Sequence, residues 1–171
     1  MRFRVGALLY GCESSFERAE IPMEHAFEWN NTYSVGVDAM DDQHKRLFEI
    51  IHELYTAMRS GKGKDVAANV LRRLIDYTAA HFAAEEKLMA QKGYPALAAH
   101  QAEHKMLIDK VLAFKKEFDA GIVTITPELM KFLQNWLTNH IQTVDRKYGA
   151  FMNANGSALA MGTSAGAKSK A

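Results

Sequence analysis

Seven histidines occur in the 171-residue chain, and five of them, His44, His81, His100, His104 and His140, fall where a helix would turn them towards its apolar side. His81 stands four residues before Glu85, and His100 four before His104. Residues four apart on a helix lie nearly above one another, so each pair can aim two donor atoms at one point. A single buried histidine ordinarily satisfies a carbonyl, and a single His-Glu pair at this spacing is ordinarily a surface ion pair. Five imidazoles and a carboxylate gathered in one core are another matter, because each polar group would lose water with nothing in return. Imidazole and carboxylate without thiolate suit iron, manganese, zinc or copper, and so many donors exceed the four of a closed structural zinc site. The pattern predicts a two-metal centre. His25, His52 and Cys12 join no such set; His52 follows His44 by eight residues, about 80° round a helix.

These donors need helices to carry them. From Asp41 to Gly61 the residues Leu47, Phe48, Ile51, Leu54, Tyr55 and Met58 recur at three- and four-residue steps, with Asp41 or Asp42 as cap and Gly61 as stop. The same period runs from Asp65 through Val70, Leu74, His81 and Glu85 until Gly93-Tyr94-Pro95 breaks it. A third helix is expected with Pro95 in its first turn and Gly121 at its end, and a fourth opens at Thr126-Pro127-Glu128 and runs to Tyr148. The predicted fold is all-α: an antiparallel up-down-up-down four-helix bundle, since short connections force neighbours to run in opposite directions. That topology puts His44 early on the first helix, His81 and Glu85 late on the second, His100 and His104 early on the third and His140 late on the fourth. All five histidines therefore share one end of the bundle. Residues 21–40 show no helical period and read as an extended N-terminal arm anchored by Trp29.

The run Trp29-Asn30 through Tyr33-Ser34-Val35-Gly36-Val37, then Asp41-Asp42-Gln43-His44-Lys45, His81 with Glu85, His100 with His104, and His140 with Asp145 resembles the bacterial hemerythrins over roughly Phe27 to Met152. The resemblance implies two non-haem iron ions, one held by His100, His104 and His140 and the other by His44 and His81. Glu85, Asp145 and an oxo or hydroxo group would bridge them, and one iron would keep an open position for dioxygen. Asp145 enters only through this resemblance: five residues past His140, it lies about 140° round an ideal helix. The implied function is reversible dioxygen binding for storage or delivery, each ferrous ion lending one electron. A histidine-rich set donates less negative charge than a carboxylate-rich one, which favours binding over oxygen-bond cleavage. Ile141, Trp29, Leu107 and Ile108 are the expected oxygen-pocket residues, within an apolar surround that includes Phe48, Trp136, Leu137 and Val144. Thr143 is expected near that face, where it could admit water and speed autoxidation.

Two other classes compete: an oxygen or redox sensor signalling to a partner protein, and a di-iron enzyme with peroxidase or nitric-oxide chemistry. A single predicted domain favours carriage, with an oxygen-consuming enzyme as a conceivable recipient, and no catalytic residue is assigned. The net charge of +1 gives no reason to expect nucleic acid, and no run approaches the ~20 apolar residues of a membrane span. One cysteine cannot form an internal disulfide, which agrees with a reducing, cytoplasmic setting. The expected state is a monomer. Residues 1–22 read as an N-terminal extension, 23–153 as the metal-binding domain, and 154–171, composed of Ala, Gly, Ser and Lys with little to bury, as a disordered tail.

Overall fold

The computed structural model describes residues 27–61 and 64–162. Helices α1 (Asp38–Arg59), α2 (Lys64–Lys92), α3 (Leu97–Asp119) and α4 (Pro127–His140) follow one another. A π-helical turn (Ile141–Asp145) then leads directly into α5 (Arg146–Gly162). α1 packs along α2, α2 along α3, and α4 returns against α1, which makes the up-down-up-down bundle. The helix stops lie where the glycines are. At Gly93 a φ of 69° lets the Tyr94 N–H donate back to Met89 O at 2.9 Å, so a carbonyl of the last turn is satisfied as the chain reverses. Thr126 caps α4 by accepting from Leu129 N at 3.3 Å, with Pro127 in the first turn.

The bundle has two unlike ends. Away from the histidines, Leu54, Leu71, Phe118 and Met130 are buried in an apolar core. Towards them, burial extends to His44, His81, Glu85, His100, His104, His140 and Asp145. The arm closes over this second end. Val35 N–H and Ser34 Oγ both donate to the Asp41 carboxylate, at 2.8 and 2.6 Å, and Tyr33 and Trp29 pack on Phe48 with ring centroids 4.8 and 6.0 Å away.

Four boundaries differ from the sequence expectation, each for a local reason. α1 starts at Asp38 rather than Asp41, because the Asp41 carboxylate holds the arm and Val37 supplies the helix start without a side-chain cap. Pro95 lies in the turn before α3, which begins at Leu97. The fourth helix does not run uniformly to Tyr148 but is interrupted by the π turn. Finally, α5 continues to Gly162, beyond the expected domain end at 153, since an alanine-rich stretch extends a helix that is already nucleated. His25, Cys12 and the extension at 1–22 lie outside the described residues, as does the tail beyond Gly162.

Candidate metal centre

The helices bring the seven predicted side chains together in two groups that share a member. Glu85, His100, His104, His140 and Asp145 each offer a donor atom within 4.8 Å of the others, and His44, His81 and Glu85 do the same. All seven residues are buried. Asp145 also spans the two groups: its Oδ1 lies 3.0 Å from His140 Nε2 and 3.4 Å from His100 Nε2, while Oδ2 lies 3.4 Å from His44 Nε2. On the other side Glu85 Oε2 stands 3.1 Å from His100 Nε2 and 3.2 Å from His104 Nε2.

Asp145 reaches this position because of the π turn. In a regular α-helix, residue i+5 points well away from residue i. Hydrogen bonds from i to i+5 place more residues in each turn, and so bring Asp145 back over His140. Regular helical periodicity contains no sign of that insertion, which is why spacing alone leaves Asp145 off the site.

The donor atoms are arranged for cations. His104 Nε2 lies 3.0 Å from His100 Nε2 and 3.1 Å from His140 Nε2. Glu86 Oε1 is 2.8 Å from His104 Nδ1 and Gln43 Oε1 is 2.9 Å from His81 Nδ1, so each acceptor takes the ring proton on the outer side and leaves an inward lone pair. Burial lowers the His81 pKa from 6.5 to about 4, against the pull of the Glu85 charge, so the ring is neutral and able to bind metal. Burial pushes the Glu85 carboxyl up, but hydrogen bonding to His100 and His104 outweighs it and holds the group well below the usual carboxylate range. Asp145 is likewise held down: burial and the Glu85 charge raise it, and the close His140 and His44 rings, with nitrogens 3.0 and 3.4 Å from its oxygens, more than offset them. Two buried carboxylates thus carry negative charge, and both His44 nitrogens, Glu85 Oε1, His100 Nδ1 and both Asp145 oxygens find no hydrogen-bond partner among the described residues. Such a set is costly when bare and well matched to a pair of metal ions.

Aromatic rings fix the imidazoles. Phe82 stacks on His104 with centroids 3.5 Å apart, and Trp136 on His140 at 4.4 Å. The buried Tyr148 ring meets His100 edge-on at 5.7 Å, and its hydroxyl is kept protonated by burial and by the nearby Glu85 and Asp145 charges, which raise its pKa well above the ordinary value. One turn from the ligands lies an apolar cavity of about 30 Å³, bordered by Leu47, Thr78, Leu107, Ile108, Trp136 and Leu137. Of the expected pocket residues, Leu107 and Ile108 border it, and Ile141 is fully buried beside His140. Trp29 is placed elsewhere, on Tyr33 and Phe48 in the arm. Thr143 is exposed, with its hydroxyl donating to Asn139 O at 2.7 Å, and it faces a surface groove that Trp136 and His140 also border. His52 is exposed and apart from the centre.

Residues 35–151 match the family described as the hemerythrin HHE cation binding domain. The chain belongs to the hemerythrin family. It is 36% identical to a bacteriohemerythrin of Stenotrophomonas maltophilia over 127 residues, covering 74% of this chain and 82% of that protein. With a bacteriohemerythrin of Methylococcus capsulatus it shares 36% identity, covering 71% of this chain and 92% of the relative. A crystal structure of wild-type hemerythrin superposes with a TM-score of 0.69 at 36% identity, covering 71% of this chain and 94% of the other. The span matched by the hemerythrin family contains all seven clustered donors. Gln43, Glu86, Phe82 and Tyr148 were not singled out as site residues in the sequence. Glu86 and Gln43 act across helix pairs, so no spacing along one helix marks them.

Proposed function

We propose that this chain binds dioxygen reversibly at a non-haem di-iron centre and serves in its storage or delivery. His100, His104 and His140 hold one iron in this reading, His44 and His81 hold the other, and Glu85 and Asp145 bridge them. The observation that carries it is the pair of overlapping donor groups sharing Glu85, with Asp145 presenting one oxygen to each. Membership of the hemerythrin family supports iron as the metal. When bound, the pair of ferrous ions supplies the two electrons that dioxygen takes up on binding and returns on release.

The protein's own side chains do the rest. Gln43 and Glu86 keep the His81 and His104 rings turned inward, and Phe82 and Trp136 prevent the His104 and His140 rings from rotating. Leu47, Leu107, Ile108 and Leu137 form an apolar approach one turn from the ligands, which favours a small apolar gas over water or anions. Five imidazoles and only two carboxylates favour reversible binding over oxidative turnover. An oxygen-consuming enzyme is the class of recipient that delivery would need. Among the described residues no helix is long and apolar enough to cross a membrane.

The deciding experiment is anaerobic ferrous loading of the chain, followed by metal counting and visible spectroscopy through cycles of air and vacuum. About two irons per chain, with a charge-transfer band that appears in air and disappears under vacuum over repeated cycles, is the expected result. A band lost after the first cycle, or steady consumption of peroxide or nitric oxide, would replace carriage with sensing or catalysis.

A further inference from the structure

The two halves of the centre are supported unequally from outside. On the three-histidine side, His104 Nδ1 faces Glu86 Oε1 at 2.8 Å, and the other Glu86 oxygen accepts from Gln101 Nε2 at 3.0 Å, so the carboxylate is held from two directions. Its side chain is 26% exposed, so the carboxylate also keeps contact with water. On the two-histidine side, His81 Nδ1 faces a neutral amide, Gln43 Oε1, at 2.9 Å. His44, the other member of that pair, has no hydrogen-bond partner on either nitrogen among the described residues. One half therefore receives an anionic acceptor and the other only an uncharged one.

A carboxylate draws the imidazole proton towards itself more strongly than an amide does, and leaves the opposite nitrogen the better donor. We propose that Glu86 is a positioning residue that makes the three-histidine iron the more electron-rich of the two, so that this iron gives up its electron at the lower potential. The two-histidine iron, supported by Gln43, stays comparatively electron-poor and resists oxidation. This rests on the ligand assignment proposed above. Each one-electron step converts one ferrous ion to ferric, the electron passing to the electrode or mediator in a titration, and to dioxygen in function.

The experiment is a spectroelectrochemical titration of the iron-loaded full chain beside its Glu86→Gln and Gln43→Glu variants, with iron counted in each. Glu86→Gln keeps the Glu86 shape and the hydrogen bond to His104 while removing the charge. A ~10-fold preferential weakening of ferric binding at the three-histidine position is expected, which raises the lower one-electron potential by about 59 mV and leaves the upper one in place. Gln43→Glu is expected to lower the upper potential by a similar amount, so the two variants narrow the gap between steps from opposite sides. A structural role alone would change iron retention without moving the two steps separately. Two irons retained in Glu86→Gln with both potentials unmoved would overturn the proposal and leave the ligand assignment standing. Failure of the unaltered chain to hold two irons would instead overturn the assignment. Should Glu86→Gln lose its metal, Gln43→Glu decides: an upper potential that does not fall overturns the proposal.

Discussion

Burial keeps His81 neutral down to a pH of about 4, and in the metal-free chain this ties folding to acidity. The unfolded imidazole takes up a proton as the pH falls below its ordinary value of 6.5, whereas the folded one does so only near 4. Across that window the unfolded state gains on the folded one, so stability is lost as the pH drops. A shift of this size corresponds to roughly 3 kcal/mol at ~1.36 kcal/mol per unit. Glu85 and Asp145, whose pKa values are lowered, lose their contribution at still lower pH, on passing through the carboxylate range. Urea denaturation of the metal-free protein is therefore expected to show a midpoint that falls steadily from about pH 7 to about pH 4.5, and His81→Gln should flatten that fall. An identical slope in the variant would remove His81 as its cause. At this scale five histidines and Glu85 were legible because helical spacing and bundle depth constrain them together. Gln43 and Glu86 were not, because their partners lie on other helices and polar residues beside a ligand carry no period of their own.

Helix ends and crossings were legible where a residue has only one reasonable use, as with Thr126-Pro127 opening α4 and Gly93 closing α2. The π turn was not, since an inserted residue leaves the apolar pattern on either side intact. If that turn is a single-residue insertion, excising the exposed Thr143 lets the stretch close as regular α-helix, with the aspartate four residues after His140 and still on its face. The shortened chain is expected to bind as much iron as the parent and to unfold at no lower temperature. Loss of all iron on this deletion would show that the wide turn itself shapes the centre. The junction of arm and α5 makes a second demand. A Cβ built on Gly149 would lie 2.2 Å from Val35 O, a backbone atom that cannot swing aside. Gly149→Ala should lift the arm from α5 at a cost of about 1–3 kcal/mol. Thermal unfolding will register it as a lowered midpoint, together with faster loss of iron to a chelator. A variant with an unchanged midpoint and chelation rate would mean that the arm moves freely and does not guard the metals.

The molecule as a whole joins an apolar end that is complete in itself to a polar end that needs a guest. Leu54, Leu71, Phe118 and Met130 are satisfied by packing, whereas the other end holds two buried carboxylates and several donor atoms without partners among the described residues. Metal binding should therefore stabilise the chain unevenly. At free metal about a thousand times the dissociation constant, linkage contributes ~4 kcal/mol, which for a chain of this size is a rise of roughly 8–16 °C in the unfolding midpoint. Hydrogen exchange can locate that gain. Amides around His44, from His81 to Glu85, from His100 to His104 and from His140 to Asp145 are expected to be the ones most strongly slowed by anaerobic ferrous loading. Those around Leu54, Leu71 and Met130 should change least in local opening, because their protection comes from a core that metal does not touch. Equal protection at both ends would mean that the bundle opens only as one unit, and the donor cluster would then be no weaker than the apolar core that supports it.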